Sequence, residues 1–289
     1  MKTRTFTKRQ AGLLTLSALA LGLIAATQEA AAAGNIANTK HNLSSVRSGT
    51  SWGTTQFSSG TGDIYAQTGS DQICVFCHTP HGAVSPATTA PLWNRTINAS
   101  GAYSAYQMTG SNSTGTASVA GMALACLSCH DGTQAMDAML NGPGFGNDST
   151  GGARSFMPDG STNYTWSNTE GPTMNGNGAP LIGTDLTNDH PIGMLYCGGG
   201  VEPAGLPGQQ SATCSDADFM SATSGAGTNK SYITGSTATG DVPLKLYGSS
   251  LGDSVVQCGT CHDPHLDNGR TFLRQPAAGS KICLTCHTK

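Results

Sequence analysis

The chain has 289 residues, of which only 11% are charged, with 39 glycines and a formal net charge of −3. That balance excludes a nucleic-acid-binding surface, which needs a basic face. Leu, Ile, Val and Phe number 37 of the 256 residues after position 33, below the fifth expected of a chain that builds an aliphatic core. Disorder would be the plain alternative, but disordered chains pair weak hydrophobicity with high charge, and this one has few charges. Something other than aliphatic side chains must supply the core.

In chain order, residues 1–33 read as a secretory signal peptide: Lys2, Arg4, Lys8 and Arg9 precede an apolar run from Ala11 to Ala26, and Ala31 and Ala33 suit cleavage before Gly34. A retained anchor is the alternative, yet the run is short for a spanning helix, no second apolar span follows, and no cysteine near the cleavage site could carry a lipid. After cleavage the formal charge is 10 minus 16, or −6. Residues 34–289 then make one domain. Residues 34–70 form a polar arm carrying His41. Residues 71–140 hold two cysteine motifs, at 71–96 and 120–140, and the span Met122–Leu140 is the best helix candidate, stopping at Asn141-Gly142. Residues 141–254 are a Gly/Ser/Asn-rich insertion that reads as loop from 141 to 180 and then carries His190, Cys197 and Cys214. So long a gap between motifs predicts a lobe of its own. Residues 255–289 hold two more motifs.

Eight of the ten cysteines fall into four Cys-x-x-Cys pairs, each followed at once by histidine: Cys74/Cys77/His78, Cys126/Cys129/His130, Cys258/Cys261/His262 and Cys283/Cys286/His287. With 8 histidines in 289 residues, four such coincidences arise by chance with a probability on the order of one in a million. Two thiols one helical turn apart can form thioethers with the two vinyl groups of one haem, and the next residue then offers its imidazole to the iron. Zinc is the rival for paired cysteines, and a disulfide scaffold the second, but neither accounts for the regular trailing histidine. Four haem c groups would also supply the missing apolar core. The expected architecture is a haem-centred multihaem cytochrome c fold, mostly loops with short α-helices and little β-structure.

After the four proximal ligands, four histidines remain: His41, His81, His190 and His265. One for each sixth position would make every haem bis-histidine, with no open iron. His81 and His265 sit in a repeated arrangement, Cys77-His78-Thr-Pro-His81 and Cys261-His262-Asp-Pro-His265. A three-residue step spans at most about 10 Å, too little to round a porphyrin to the far face of the same iron, so each should ligate a neighbouring haem. Pro80 and Pro264 stiffen these staples. The methionines of residues 34–289 are mostly packing residues, Met194 being the one axial candidate beside His190. Cys197 and Cys214 lack the motif and are expected to form a disulfide, with a redox-active thiol pair as the alternative.

His41-Asn-Leu, Ile73-Cys-Val-Phe-Cys-His-Thr-Pro-His81, Pro91-Leu-Trp-Asn-Arg95, Asn188-Asp-His-Pro-Ile-Gly193 and the two closing motifs resemble the doubled-CXXCH multihaem cytochromes, and within them the tetrahaem extracellular cytochromes that polymerise into nanowires. The likeness covers about half of the chain after the signal. It implies bis-histidine haems with His41, His81, His190 and His265 distal, stacked subunits, and one distal histidine supplied by a neighbour. An arm with little chain before His41 makes that residue the candidate for exchange, with His190 as fallback. The expected function is electron transfer without catalysis on a bound substrate. The expected setting is the cell exterior, with other redox proteins or extracellular acceptors as partners, no nucleic acid, and no membrane span once the signal is removed. A soluble periplasmic tetrahaem shuttle is the alternative. A multihaem reductase of a small oxyanion is third, since the histidine count leaves no vacant iron.

Overall fold

The computed structural model describes residues 36–44, 72–84, 91–106, 118–136, 138–141, 174, 180–197, 201–202, 211–214, 216–224, 231–238, 240–248, 254–266, 270 and 272–288. All lie in the unit Gly34–Lys289. The predicted signal peptide and its cleavage site fall outside the described residues, as does most of the 141–180 loop. Among the described residues no helix is long and apolar enough to cross a membrane.

The helices are short and fall on the motifs. Helix α1 is Met122–His130, α2 is Cys258–Cys261 and α3 is Lys281–Cys286, while Cys74–Phe76 forms a single 3-10 turn. Helix α1 ends ten residues before the expected Leu140, for an identifiable reason. The carbonyls beyond it are taken by other partners: His130 O accepts from the amides of Ile182 and Gly183, and Ala135 O and Met136 O accept from the Arg95 guanidinium. Gly132, at φ +72°, turns the chain back, so that Met139 bridges to Arg95 and Leu140 N donates to Asn94 O.

The insertion is more ordered than its composition predicts. It forms an antiparallel five-stranded meander in the order β1-β2-β3-β4-β5: β1 Val201–Glu202, β2 Ser211–Cys214, β3 Ala222–Ser224, β4 Ser231–Ile233 and β5 Leu244–Lys245. Cys197 and Cys214 are joined by a disulfide, S–S 2.05 Å, which ties the approach to β1 onto the end of β2, where Val201 pairs with Cys214. Alternation along β4 and β5 turns Ile233 and Leu244 inward, as the two-residue period of a half-buried strand requires.

The buried apolar side chains make several small clusters, each against a cysteine motif. Leu43, Val75, Phe76, Met136 and Met139 pack with Cys77 and Cys129; Trp93 and Ala125 pack with Cys77 and Met122. Tyr103, Val119, Ala123, Leu127 and Leu186 pack with Cys258. The sheet contributes Ala222, Ile233, Leu244 and Leu246, which join Tyr196 and Cys197 against Ile282 and Cys286 of α3.

Candidate functional site

Each motif closes one turn on its first cysteine. The His78 amide donates to Cys74 O (2.7 Å), His262 to Cys258 O (3.0 Å) and His287 to Cys283 O (2.8 Å), and His130 ends the last turn of α1. This is why two intervening residues suffice: the turn brings both thiols to one side with the imidazole next in line. At α2 a reciprocal capping box between Gln257 and Thr260 fixes the turn.

The thiols neighbour one another in sequence order. Cys77 and Cys129 pack on the same apolar cluster, the Cys126 thiol donates to Cys258, and Cys261 lies close enough to raise the pKa of Cys286. Burial first, and then a neighbouring thiol, pushes Cys77 and Cys286 up to about 12 and Cys261 to about 11. The hydrogen bond from Cys126 holds Cys258 below the usual thiol range and raises Cys126 itself. The burial that disfavours a thiolate at Cys77, Cys261 and Cys286 suits an uncharged thioether sulfur there, and Cys258 is the exception.

The histidines come in twos. His78 and His265 have ring centroids 6.1 Å apart and planes 15° apart, and His41 and His130 are 6.2 Å and 77° apart. A metal held between two imidazole nitrogens at about 2 Å each puts the ring centres roughly 6 Å apart. In three of these rings Nδ1 is hydrogen-bonded to a carbonyl, and in the fourth it faces a carboxylate. His78 Nδ1 lies 2.8 Å from Pro91 O, His130 Nδ1 2.9 Å from Pro180 O, His41 Nδ1 3.3 Å from Pro264 O, and His265 Nδ1 3.5 Å from Asp263 Oδ1. An Nδ1–H given to oxygen leaves Nε2 with the lone pair, the tautomer a metal needs. Burial, and then His130, pushes His41 down to about 4, and burial lowers His130, so both rings are held neutral. His41 also stacks on Phe272, 4.2 Å between centroids.

Among the described residues no three His, Cys, Asp or Glu side chains converge on one point as a zinc site requires. Two facing imidazoles with two thiols beside one of them instead fit a planar macrocycle that brings its own four equatorial nitrogens. The residues present therefore fit haem c at the first two motifs, with His265 opposite His78 and His41 opposite His130. His81 and His190 are exposed: His81 O accepts from Thr79 and Asn141, and His190 Nδ1 lies 3.1 Å from Pro191 O. His287 of the last motif meets Phe219, 4.8 Å between ring centroids.

The segment Pro91–Arg95 entered the sequence reading only through the family resemblance, with no role assigned to its residues. Pro91 O orients His78, and Leu92 O accepts from Thr79 N. Trp93 meets the His78 ring edge-on and donates to Ser128 Oγ. Asn94 donates to Val75 O and Asn141 O and accepts from Asn141 N. One five-residue segment thus supports the first motif and holds the second. The insertion does the same for the last motif: Met220 N donates to Cys286 O, Thr288 N to Asp218 O, and the Tyr196 hydroxyl to Met220 O. In the Asn188–Gly193 segment, Gly193 has φ +72°, and a Cβ there would collide with Ser118 O, so only glycine fits.

No curated protein matches the chain. Residues 254–289, which carry the third and fourth motifs, match the doubled CXXCH motif family. Together with the same motif twice more upstream, that match supports a multihaem c-type cytochrome that holds haem covalently and transfers electrons.

Proposed function

We propose that the chain holds four haems, each tethered by one Cys-x-x-Cys-His segment and closed by a second imidazole, and relays electrons without acting on a bound substrate. The observation that carries this is the pair of facing imidazoles at each of the first two motifs, with Nδ1 of His41, His78 and His130 hydrogen-bonded to a carbonyl, which leaves their Nε2 for a metal. The haem irons supply the redox chemistry; the protein supplies attachment, ligand orientation and exclusion of water. The thiol neighbours run from Cys77 through Cys129, Cys126 and Cys258 to Cys261 and Cys286, which supports a contiguous relay. His81 and His190 remain the distal candidates for the third and fourth motifs.

The setting we propose is an exported subunit of an extracellular filament, with His41 on its arm as the exchanged ligand and His190 as fallback. A specific observation favours a second reading, the monomeric periplasmic shuttle: His41 faces His130 of its own chain. Three measurements test these readings. Intact mass after denaturation should show four haems retained, and fewer would break the count. Carbon monoxide should leave the reduced spectrum unchanged, whereas binding would reveal a vacant iron and an enzyme. Electron microscopy of His41→Ala against the parent separates the settings: filaments lost only in the variant support exchange, and monomers in both support the shuttle.

A further inference from the structure

Arg95 is among the largest fully buried side chains described, at 0% exposure. Its Nη1 donates to Met136 O (2.8 Å) and its Nη2 to Ala135 O (2.6 Å) and Ser128 O (3.3 Å). Its Nε is buried without a partner, and it pairs with no carboxylate among the described residues. Asp131, which caps the C-terminus of α1, is turned to Tyr103, Asn98 and Thr133. A guanidinium satisfied only by carbonyls keeps its full charge, since carbonyl dipoles solvate it and do not cancel it. Its place is specific. Ser128 lies between Cys126 and Cys129, and Arg95 follows directly on Asn94, which donates to Val75 O between Cys74 and Cys77.

We propose that Arg95 is a fixed buried cation that raises the reduction potential of the first two motif sites. This rests on the haem reading above. Reduction adds one negative charge at the iron; a desolvated positive charge nearby stabilises that form and weakens the oxidised one. The unbalanced cation, costly in the oxidised protein, becomes less so once an electron arrives. At the third motif the comparable cation is balanced by a carboxylate: Arg274 Nε donates to Gly259 O, between Cys258 and Cys261, while its Nη1 lies 3.3 Å from Asp263 Oδ2.

The experiment is a redox titration of the haem-loaded protein. In Arg95→Gln the equilibrium constant for reducing at least one of the first two haems should fall tenfold or more, a shift of about 59 mV for one electron. Arg95→Lys, which keeps the charge and loses the fork, should stay within threefold of the parent. Ala135→Asp sets a neutralising carboxylate at a half-buried position beside the guanidinium. It should shift the midpoint the same way, and it decides the matter if Arg95→Gln yields no loaded protein. Unshifted midpoints in both neutralising variants, with four haems counted by mass, would overturn the inference. So would equal falls in Lys and Gln, which would assign the effect to packing. Fewer than four haems in the parent would instead refute the haem reading.

Discussion

An imidazole whose Nδ1–H is donated to an oxygen can offer a metal only one nitrogen, Nε2, and only one plane. At the first motif the two planes lie within 15° of each other, and at the second they cross at 77°. Axial planes set which iron orbital holds the unpaired electron, so the ferric protein should show two distinct low-spin paramagnetic resonance signals, one rhombic and one highly anisotropic. A single uniform signal would refute the paired geometry. His41→Ala should remove the anisotropic signal and His265→Ala the rhombic one. Asn94 shows how much of the site rests on residues that touch no metal. Fully buried, it joins Val75 of the first motif to Asn141 through three hydrogen bonds. Asn94→Ala orphans those partners and should cost roughly 2–4 kcal/mol in denaturant unfolding of the loaded protein. The cysteines and proximal histidines were legible because covalent chemistry dictates their spacing. Asn94, Trp93 and Arg95 stood in a segment that resembles the family, but their roles were not legible, because their work is done across 19 to 47 residues of sequence, where no local pattern reports it.

At the scale of elements, the helix at Met122 was visible in its Ala, Leu and Met content, but its end was not, since Arg95 captures the carbonyls that would have continued it. The meander of 201–245 was hidden for another reason. Its strands are two to four residues long and rich in Ser, Thr and Ala, so no alternation builds up that composition could reveal. The disulfide does what strand length does not, holding β1 to β2. Closing a loop with a sequence separation of 17 is worth about 3 kcal/mol on the chain-entropy view. Because the sheet packs on Ile282 and Cys286 and its flank on His287, the Cys197→Ser/Cys214→Ser double variant should perturb the fourth site and leave the two signals of the first two unchanged. Loss of either of those signals would show that the sheet supports the whole molecule and not one end of it.

At the scale of the whole molecule, the described core is divided among small clusters, each closed on one side by a motif cysteine. No cluster is large enough to offset the ordering entropy of the chain around it. On the function proposed above, covalent haem would complete each one. The chain produced in a host without haem-attachment machinery should therefore be largely unfolded, with weak circular dichroism and rapid proteolysis; a cooperative thermal transition in that material would contradict this.

Four histidine rings, His41, His78, His130 and His190, lie with Nδ1 near a proline carbonyl: Pro264, Pro91, Pro180 and Pro191. Proline has no amide hydrogen and a φ fixed by its ring, which narrows the ways its segment can reorient. A ring pinned to such an acceptor has almost no room to turn when the charge at its far nitrogen changes. Small nuclear motion means a small reorganisation cost for each electron hop. Pro91→Ala should accordingly leave the midpoint of the first site in place while slowing self-exchange there, the prolines governing how fast charge moves rather than where it rests.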